Sequence, residues 1–178
     1  MKILSFPASN SSQSINRKLL SYAERFLPEF DIEHLDINDY EMPIYSMDRE
    51  HASGIPEQAK AFVASIAGAD ALLISFAEHN GNYTAAFKNI LDWCSRFERN
   101  IYQHKKMLLL STSPGQGGGS TVLKMAESAA PFFGGKVITT LSIPGFNENF
   151  DTEKGELTHK ELDQKLIEAL GKFKSSLE

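Results

Sequence analysis

Five short apolar runs, each separated from the next by a stretch of helical periodicity, constrain the fold of this chain more than any other feature. The runs are 2–6 (KILSF), 31–36 (DIEHLD), 70–76 (DALLISF), 105–111 (KKMLLLS) and 136–143 (KVITTLSI). Their lengths suit strands. Between them, 14–27, 56–67, 84–98 and 120–132 read as helices, and 158–176 forms a terminal one. In 14–27, Ile15, Leu19, Leu20, Ala23, Phe26 and Leu27 recur every three or four residues, and Pro28 stops the pattern. In 84–98, Phe87, Ile90, Leu91, Cys94 and Phe97 form one stripe. Strands alternating with helices imply an α/β architecture: a parallel sheet with right-handed crossovers. The run 31–36 alternates, with only Ile32 and Leu35 apolar, and reads as a strand near an edge. Segments 37–54 and 144–157 read as loops, the first broken by Pro43 and Gly54. No repeat, linker or compositional break divides the 178 residues, so a single domain is expected over 1–178.

Charge and cysteine usage remove several function classes. The net charge of −5 argues against nucleic acid as a partner, because phosphate neutralisation along a strand needs a basic face. A small phosphorylated ligand is still allowed, since neutral donors in one loop can hold it. The lone Cys94 can form no intrachain disulfide, and His34, His51, His104 and His159 show no metal-ligand spacing, so no metal is assigned. The first apolar stretch is too short for a signal-peptide core, and no run approaches the ~18 residues of a membrane span. A cytoplasmic protein without membrane contact is expected.

In open α/β sheets, ligands bind beyond the carboxyl ends of the strands. Three loops qualify: 7–14, 76–84 and 112–119. All three are rich in Ser, Thr, Asn and Gly. The first runs from a buried strand directly into a helix, whose free N–H groups and positive dipole end favour an anion. Ser9, Ser11, Ser12 and Ser14 add hydroxyls and Asn16 an amide, more than one helix cap requires. No Lys or Arg lies between residues 3 and 16, so a phosphate there would be held by dipoles. The loop matches neither G-x-G-x-x-G nor G-x-x-x-x-G-K-[ST], which disfavours a Rossmann dinucleotide site and a nucleotide triphosphatase.

Three segments carry a family resemblance. Residues 8–16 read A-S-N-S-S-Q-S-I-N, residues 77–93 read A-E-H-N-G-N-Y-T-A-A-F-K-N-I-L-D-W, and residues 113–119 read S-P-G-Q-G-G-G. In order and spacing they resemble the NAD(P)H-dependent FMN reductases. That family carries G-S-x-R-x-x-S-x-N, P-E-Y-N-x-S-x-P-G-x-L-K-N-x-x-D-W and Ser-Pro-Gly-x-x-Gly-Gly segments. The sequence also departs from the pattern. Ser11 replaces the arginine, Ala77 the leading proline, His79 the tyrosine, and Thr84-Ala85 the Pro-Gly pair.

The resemblance implies a flavodoxin-like three-layer α/β/α sandwich with a five-stranded parallel sheet in the order 2-1-3-4-5. It also implies FMN as cofactor and NAD(P)H as reductant. A quinone, azo compound, free flavin or similar small-molecule acceptor would take the electrons in a second half-reaction. Ser9, Ser11, Ser14, Ile15 and Asn16 would surround the FMN phosphate. Glu78, His79, Asn80 and Gly81 would line the isoalloxazine edge, and Ser113, Pro114, Gly115 and Gly118 would border the ring. Gly81, Gly115 and Gly118 are expected where a planar ring lies against backbone. His79 is expected to stack or hydrogen-bond, not to transfer protons. Hydride transfer belongs to the flavin, so no catalytic side chain is assigned. Lys88, Asn89 and Asp92 are expected to tie their helix to the following loop. A homodimer or homotetramer is implied, with the helix at 84–98, Trp93 and Phe97 as its candidate interface. Two other classes stand beside the reductase: a one-electron flavodoxin-type carrier, whose T-x-T-G-x-T loop is missing here, and an FMN-binding module without pyridine-nucleotide turnover.

Overall fold

A computed structural model describes residues 1–178. In chain order it contains β1 (Lys2–Ala8), α1 (Ile15–Glu24), β2 (Asp31–His34), α2 (Met47–Ser53), α3 (Glu57–Ala67), β3 (Ala71–Phe76) and α4 (Ala85–Phe97). There follow β4 (Lys106–Thr112), α5 (Ser120–Ala129), β5 (Lys136–Ile143), α6 (Phe146–Asn149), the two-residue strands β6 (Phe150–Asp151) and β7 (Glu156–Leu157), and α7 (Lys160–Leu177). The five main strands pair in parallel in the order β2-β1-β3-β4-β5, the flavodoxin-like order the sequence resemblance implies.

Side-chain alternation along each central strand builds two cores. Leu4, Phe6, Leu72, Ile74, Phe76, Met107 and Leu109 face α3, α4 and α5. Ile3, Ala71, Leu73, Leu108 and Leu110 face α1 and α7. Both faces are therefore covered, which is why β3 and β4 read as unbroken apolar runs and not as alternating ones. Each fully buried Leu or Phe contributes roughly 1.5–3 kcal/mol. The parallel register brings Ala8, Phe76 and Ser111 into one row at the carboxyl edge of β1, β3 and β4. The chain leaves β1 toward β2 on one side and β3 leads toward β4 on the other. The crevice at that reversal is where an open α/β sheet binds ligands.

Several sequence expectations need correction. Segment 37–54 is more ordered than a loop. It holds a 3₁₀ turn at Ile37–Tyr40, where Asp36 accepts from the Asn38 N–H, and α2, where Ser46 accepts from the Arg49 N–H. Segment 144–157 likewise folds into α6 and the β6–β7 hairpin. The expected helix at 120–132 ends at Ala129 and tightens into a 3₁₀ turn over Ala130–Phe133. Phe97 lies off the buried stripe of α4 and is 48% exposed. Trp93 lies within the stripe and is 1% exposed, with its indole N–H donating to the Pro43 carbonyl at 2.7 Å. A ring engaged inside the subunit cannot form a subunit contact, so Trp93 drops out of the candidate interface. Asn89 also reaches backward, accepting from Tyr45 N–H at 2.9 Å and donating to Met42 O at 2.9 Å. It ties α4 to the preceding segment, not the following loop. Lys88 and Asp92 pair with each other one helical turn apart at 2.6 Å. No helix is long and apolar enough to cross a membrane.

Candidate functional site

The carboxyl ends of β1, β3 and β4 open into a cleft of about 210 Å³. Ser9, Ser11, Ser14, Ile15 and Asn16 line it from the first loop, Glu78 and His79 from the second, and Ser113 and Pro114 from the third. The sequence reading missed Gln13, Ala77 and Thr112, which also line it. All three stand within the loops already singled out, so position alone could have found them. Ala77 carries no chemical signal. Asn80, Gly81, Gly115 and Gly118 stand outside the lining.

The first loop winds on itself through its serines. Ser9 Oγ accepts from Ser11 N–H at 3.3 Å, and Ser11 Oγ from Gln13 N–H at 3.2 Å. Ser14 caps α1, its Oγ accepting from Arg17 N–H at 3.3 Å. A hydroxyl that accepts a backbone N–H still has its own proton to donate. Ser9, Ser11 and Ser14 donate to nothing in the protein. Elsewhere around the cleft the hydroxyls are engaged as donors: Ser75 to Asn16, Thr84 to Ala8 O, Ser111 to Gly118 O and Thr112 to Ile143 O. Ser9 and Ser14 are 6% and 7% exposed, whereas Ser11 is exposed. The N–H groups of Ile15 and Asn16, in the first turn of α1, have no helical acceptor. These groups form an anion cradle built wholly from neutral donors. The only ionisable side chains lining the cleft are Glu78 and His79.

Asn16 works differently from the serines. Its side chain is 2% exposed and points into the sheet edge. Oδ1 accepts from Ser75 Oγ at 2.7 Å and from Thr112 N–H at 3.1 Å, while Nδ2 donates to Thr112 O at 3.3 Å. The amide thus fastens the start of α1 to β3 and β4 and fixes the first loop against the third.

The second loop turns at its tip through Asn80 (φ 53°) and Gly81 (φ 72°), with His79 and Asn82 exchanging backbone hydrogen bonds of 3.0 and 3.1 Å. Two successive positive φ values mark a type I′ hairpin turn, for which Asn-Gly is favoured. Gly81 is thus required by the turn, without reference to a ring. Glu78 Oε2 accepts from Val122 N–H at 2.9 Å. That carboxylate supplies the cap that α5 lacks from its own N-terminal residue, Gly119, and locks the second loop to α5.

In the third loop, Gly118 has φ 58°, and a Cβ there would lie 2.4 Å from Ser142 Oγ and 2.9 Å from the Ile143 carbonyl carbon. Contact with the end of β5 requires that glycine, again without a ring. Gly115 has open space around it, its nearest neighbour being Ser113 Oγ at 4.0 Å. Its carbonyl accepts from Gly118 N–H at 3.2 Å and Gly145 N–H at 3.0 Å, which holds the loop closed.

A second, larger hollow of about 260 Å³ meets the first loop only at Asn10 and is walled by Ile37, Tyr40, Met42 and Ile44. It gathers none of the free hydroxyls, so the smaller cleft is the better anion site. FMN fits the cleft on chemistry: a phosphomonoester matches the neutral cradle, and a polar ring edge matches the amide-rich second and third loops. Ser9, Ser11, Ser14 and the first-turn N–H groups of α1 are the residues suited to the phosphate.

The sequence model of the NADPH-dependent FMN reductase family matches residues 1–148. A 2-hydroxy-1,4-benzoquinone reductase from a Burkholderia species is 34% identical over 120 residues, covering 66% of this chain and 63% of that protein. An NADPH:quinone oxidoreductase from Arabidopsis thaliana is 33% identical over 103 residues, covering 58% of this chain and 51% of that protein. The matches thus span between half and two thirds of these relatives. Among solved structures, the FerB flavoenzyme NAD(P)H:(acceptor) oxidoreductase from Paracoccus denitrificans superimposes with a TM-score of 0.81 at 22% identity, covering 99% of this chain and 96% of that one. That likeness is one of fold.

Proposed function

Because this chain belongs to the NADPH-dependent FMN reductase family, we propose that it is an oxidoreductase that holds FMN across the three-loop cleft, takes electrons from NAD(P)H and passes them to a small quinone-type acceptor. The observation that carries this reading is that Ser9, Ser11 and Ser14 line one cleft with hydroxyls that accept backbone N–H groups and donate to no protein acceptor. Bound there, FMN supplies the hydride chemistry, and the protein supplies binding, orientation and electrostatics.

The residues divide that work between them. The three serines and the first turn of α1 hold the phosphate. Asn16 keeps their loop fixed against β3 and β4. Glu78 holds the second loop on α5, and His79 offers an imidazole at the cleft wall for stacking or hydrogen bonding. The absence of cationic side chains from the lining leaves the fixed N–H and O–H dipoles to balance charge on the cofactor. Quinone as acceptor class is supported by the names of two relatives. A homo-oligomer is supported by exposed apolar side chains on α4 and on the segment before α3, namely Phe97, Ile44 and Met47. The lone buried Cys94 fits a reducing, cytoplasmic setting.

The test is the visible spectrum of the purified protein, an FMN titration, and anaerobic addition of NADPH and NADH followed by benzoquinone. Yellow protein that bleaches with reductant and recovers with quinone is expected. Protein that takes up no FMN, or whose flavin stays oxidised with both nucleotides, refutes the proposal.

A further inference from the structure

A basic groove of about 310 Å³ continues from the phosphate loop along α1, sharing Gln13 and Ser14 with the cleft. Ser14, Lys18, Ser21 and Arg25 succeed one another every three or four residues, so they line one side of the helix. At ~1.5 Å rise per residue, Lys18 lies ~6 Å and Arg25 ~16 Å beyond Ser14. The opposite wall is the β6–β7 hairpin, through Thr152 and Gly155.

Arg25 is held in place on this wall. Its guanidinium lies 5.6 Å over the Tyr22 ring and donates to Lys154 O at 3.3 Å. Gly155 makes room for it, since a Cβ there would come within 2.9 Å of Arg25 Nη2. Arg17, the third cation, leans away toward Leu35 O and Asp36. Lys18 has neither an ion-pair partner nor a side-chain hydrogen bond. No carboxylate lines the groove, although the chain as a whole carries a net charge of −5. The cleft that suits FMN has no cation, and its neighbour has three. A groove of this kind suits a second anionic group, distinct from the flavin phosphate and within the length of an adenosine phosphate.

We propose that this groove is a second phosphate subsite that holds the adenosine-phosphate end of a dinucleotide whose other end lies in the cleft; the proposal rests on the cofactor reading above. Two dinucleotides present that chemistry. NADPH carries a 2′-phosphate on its adenosine ribose, and FAD carries an AMP half beyond its flavin phosphate. Lys18 pairs with the phosphate, and Ser21 and Thr152 supply hydroxyls.

The test compares wild type with Lys18→Glu and Lys18→Gln, at a half-buried position on α1. Fluorescence quenching of the apoprotein gives Kd for FMN and for FAD. Steady-state assays of the FMN-loaded protein give KM for NADH and for NADPH. A loss of about tenfold is expected in either the FAD Kd or the NADPH KM, as for one charge-assisted contact, with FMN and NADH values within about twofold of wild type. Movement of the FAD arm assigns the groove to a flavin dinucleotide, and movement of the NADPH arm assigns it to the reductant. If neither arm moves, the proposal is overturned. If FMN affinity falls by the same factor, Lys18 merely offsets the flavin phosphate, and the proposal is equally overturned. Wild-type protein that binds no flavin at all refutes the cofactor reading itself, a result distinguishable from both.

Discussion

Replacing Asn16 with alanine isolates the tie between the first loop and the sheet. Asn16→Ala removes three hydrogen bonds, of 2.7, 3.1 and 3.3 Å, at a residue 2% exposed. It strands the Ser75 hydroxyl, the Thr112 N–H and the Thr112 carbonyl, all at positions closed to water. A buried polar group left without a partner costs about 1–3 kcal/mol. The Ser75 hydroxyl can rotate toward another acceptor, but the Thr112 N–H cannot, so a net loss of about 3 kcal/mol is expected. That is a large share of the ~5–15 kcal/mol that holds a domain folded. For a chain of this size it lowers Tm by roughly 6–12 °C. Urea unfolding of the flavin-free protein measures it, since bound ligand would mask the loss by mass action. The double variant with Ser75→Ala completes a thermodynamic cycle. The Asn16–Ser75 contact predicts non-additivity above ~0.5 kcal/mol. A loss below ~1 kcal/mol in Asn16→Ala, or strict additivity in the cycle, would refute the assignment of Asn16 as the fastening between α1 and the sheet edge.

Other substitutions and conditions discriminate neighbouring claims. Gly118→Ala should destabilise by more than ~3 kcal/mol, because the new Cβ meets backbone of β5 at positive φ, whereas Gly115→Ala should change stability by less than ~1 kcal/mol. Parallel thermal melts decide, and equal effects would contradict the packing account. Trp93→Phe should cost about 1 kcal/mol by removing the indole donor to Pro43 O while leaving the oligomeric state unchanged in light scattering. Alanine at Ser9 or Ser11 should weaken FMN binding by about tenfold with little change in the melt, read by flavin fluorescence. Alkaline pH should destabilise the fold in two overlapping steps. Burial pushes the Cys94 thiol from 9.0 up to about 12 and the Tyr83 and Tyr22 phenols from 10.0 up to about 12, and it raises the Tyr102 phenol as well. Above its ordinary value each group loses its proton in the unfolded chain but keeps it in the native one. Their contributions are therefore complete below pH 9.0 and are lost as pH rises toward about 12. Urea midpoints measured from pH 8 to 11 test this, and Cys94→Ala should flatten the earlier step. A midpoint that stays constant across that range contradicts it.

The periodicities in the chain were enough to define the alternation of strands and helices. Apolar runs of strand length separated by helical stretches point to a parallel sheet, because each element must bury an apolar side, and the family resemblance supplied its strand order and the helices on both faces. The positions of the ligand loops followed from the same pattern, since strand ends in such sheets are where loops gather. Side-chain roles within those loops were not legible, because they depend on what lies across the fold. Asn16 and Ser14 stand two residues apart at the start of α1 and look alike as donors. Yet the end of β4 takes the amide inward through Thr112, while the Ser14 hydroxyl keeps its proton for the cleft. Gly81 and Gly118 both looked like room for a planar ring, but one answers to a type I′ turn and the other to the approach of β5. Trp93 and Phe97 share a helix and an apolar character, and only the position of the Pro43 carbonyl and the rotation of α4 separate a core residue from an exposed one. Local pattern governs which segments become strands and helices, because that choice is made within a few residues. Hydrogen-bond partners tens of residues away govern what a polar side chain is free to do, and only the assembled sheet brings them within reach.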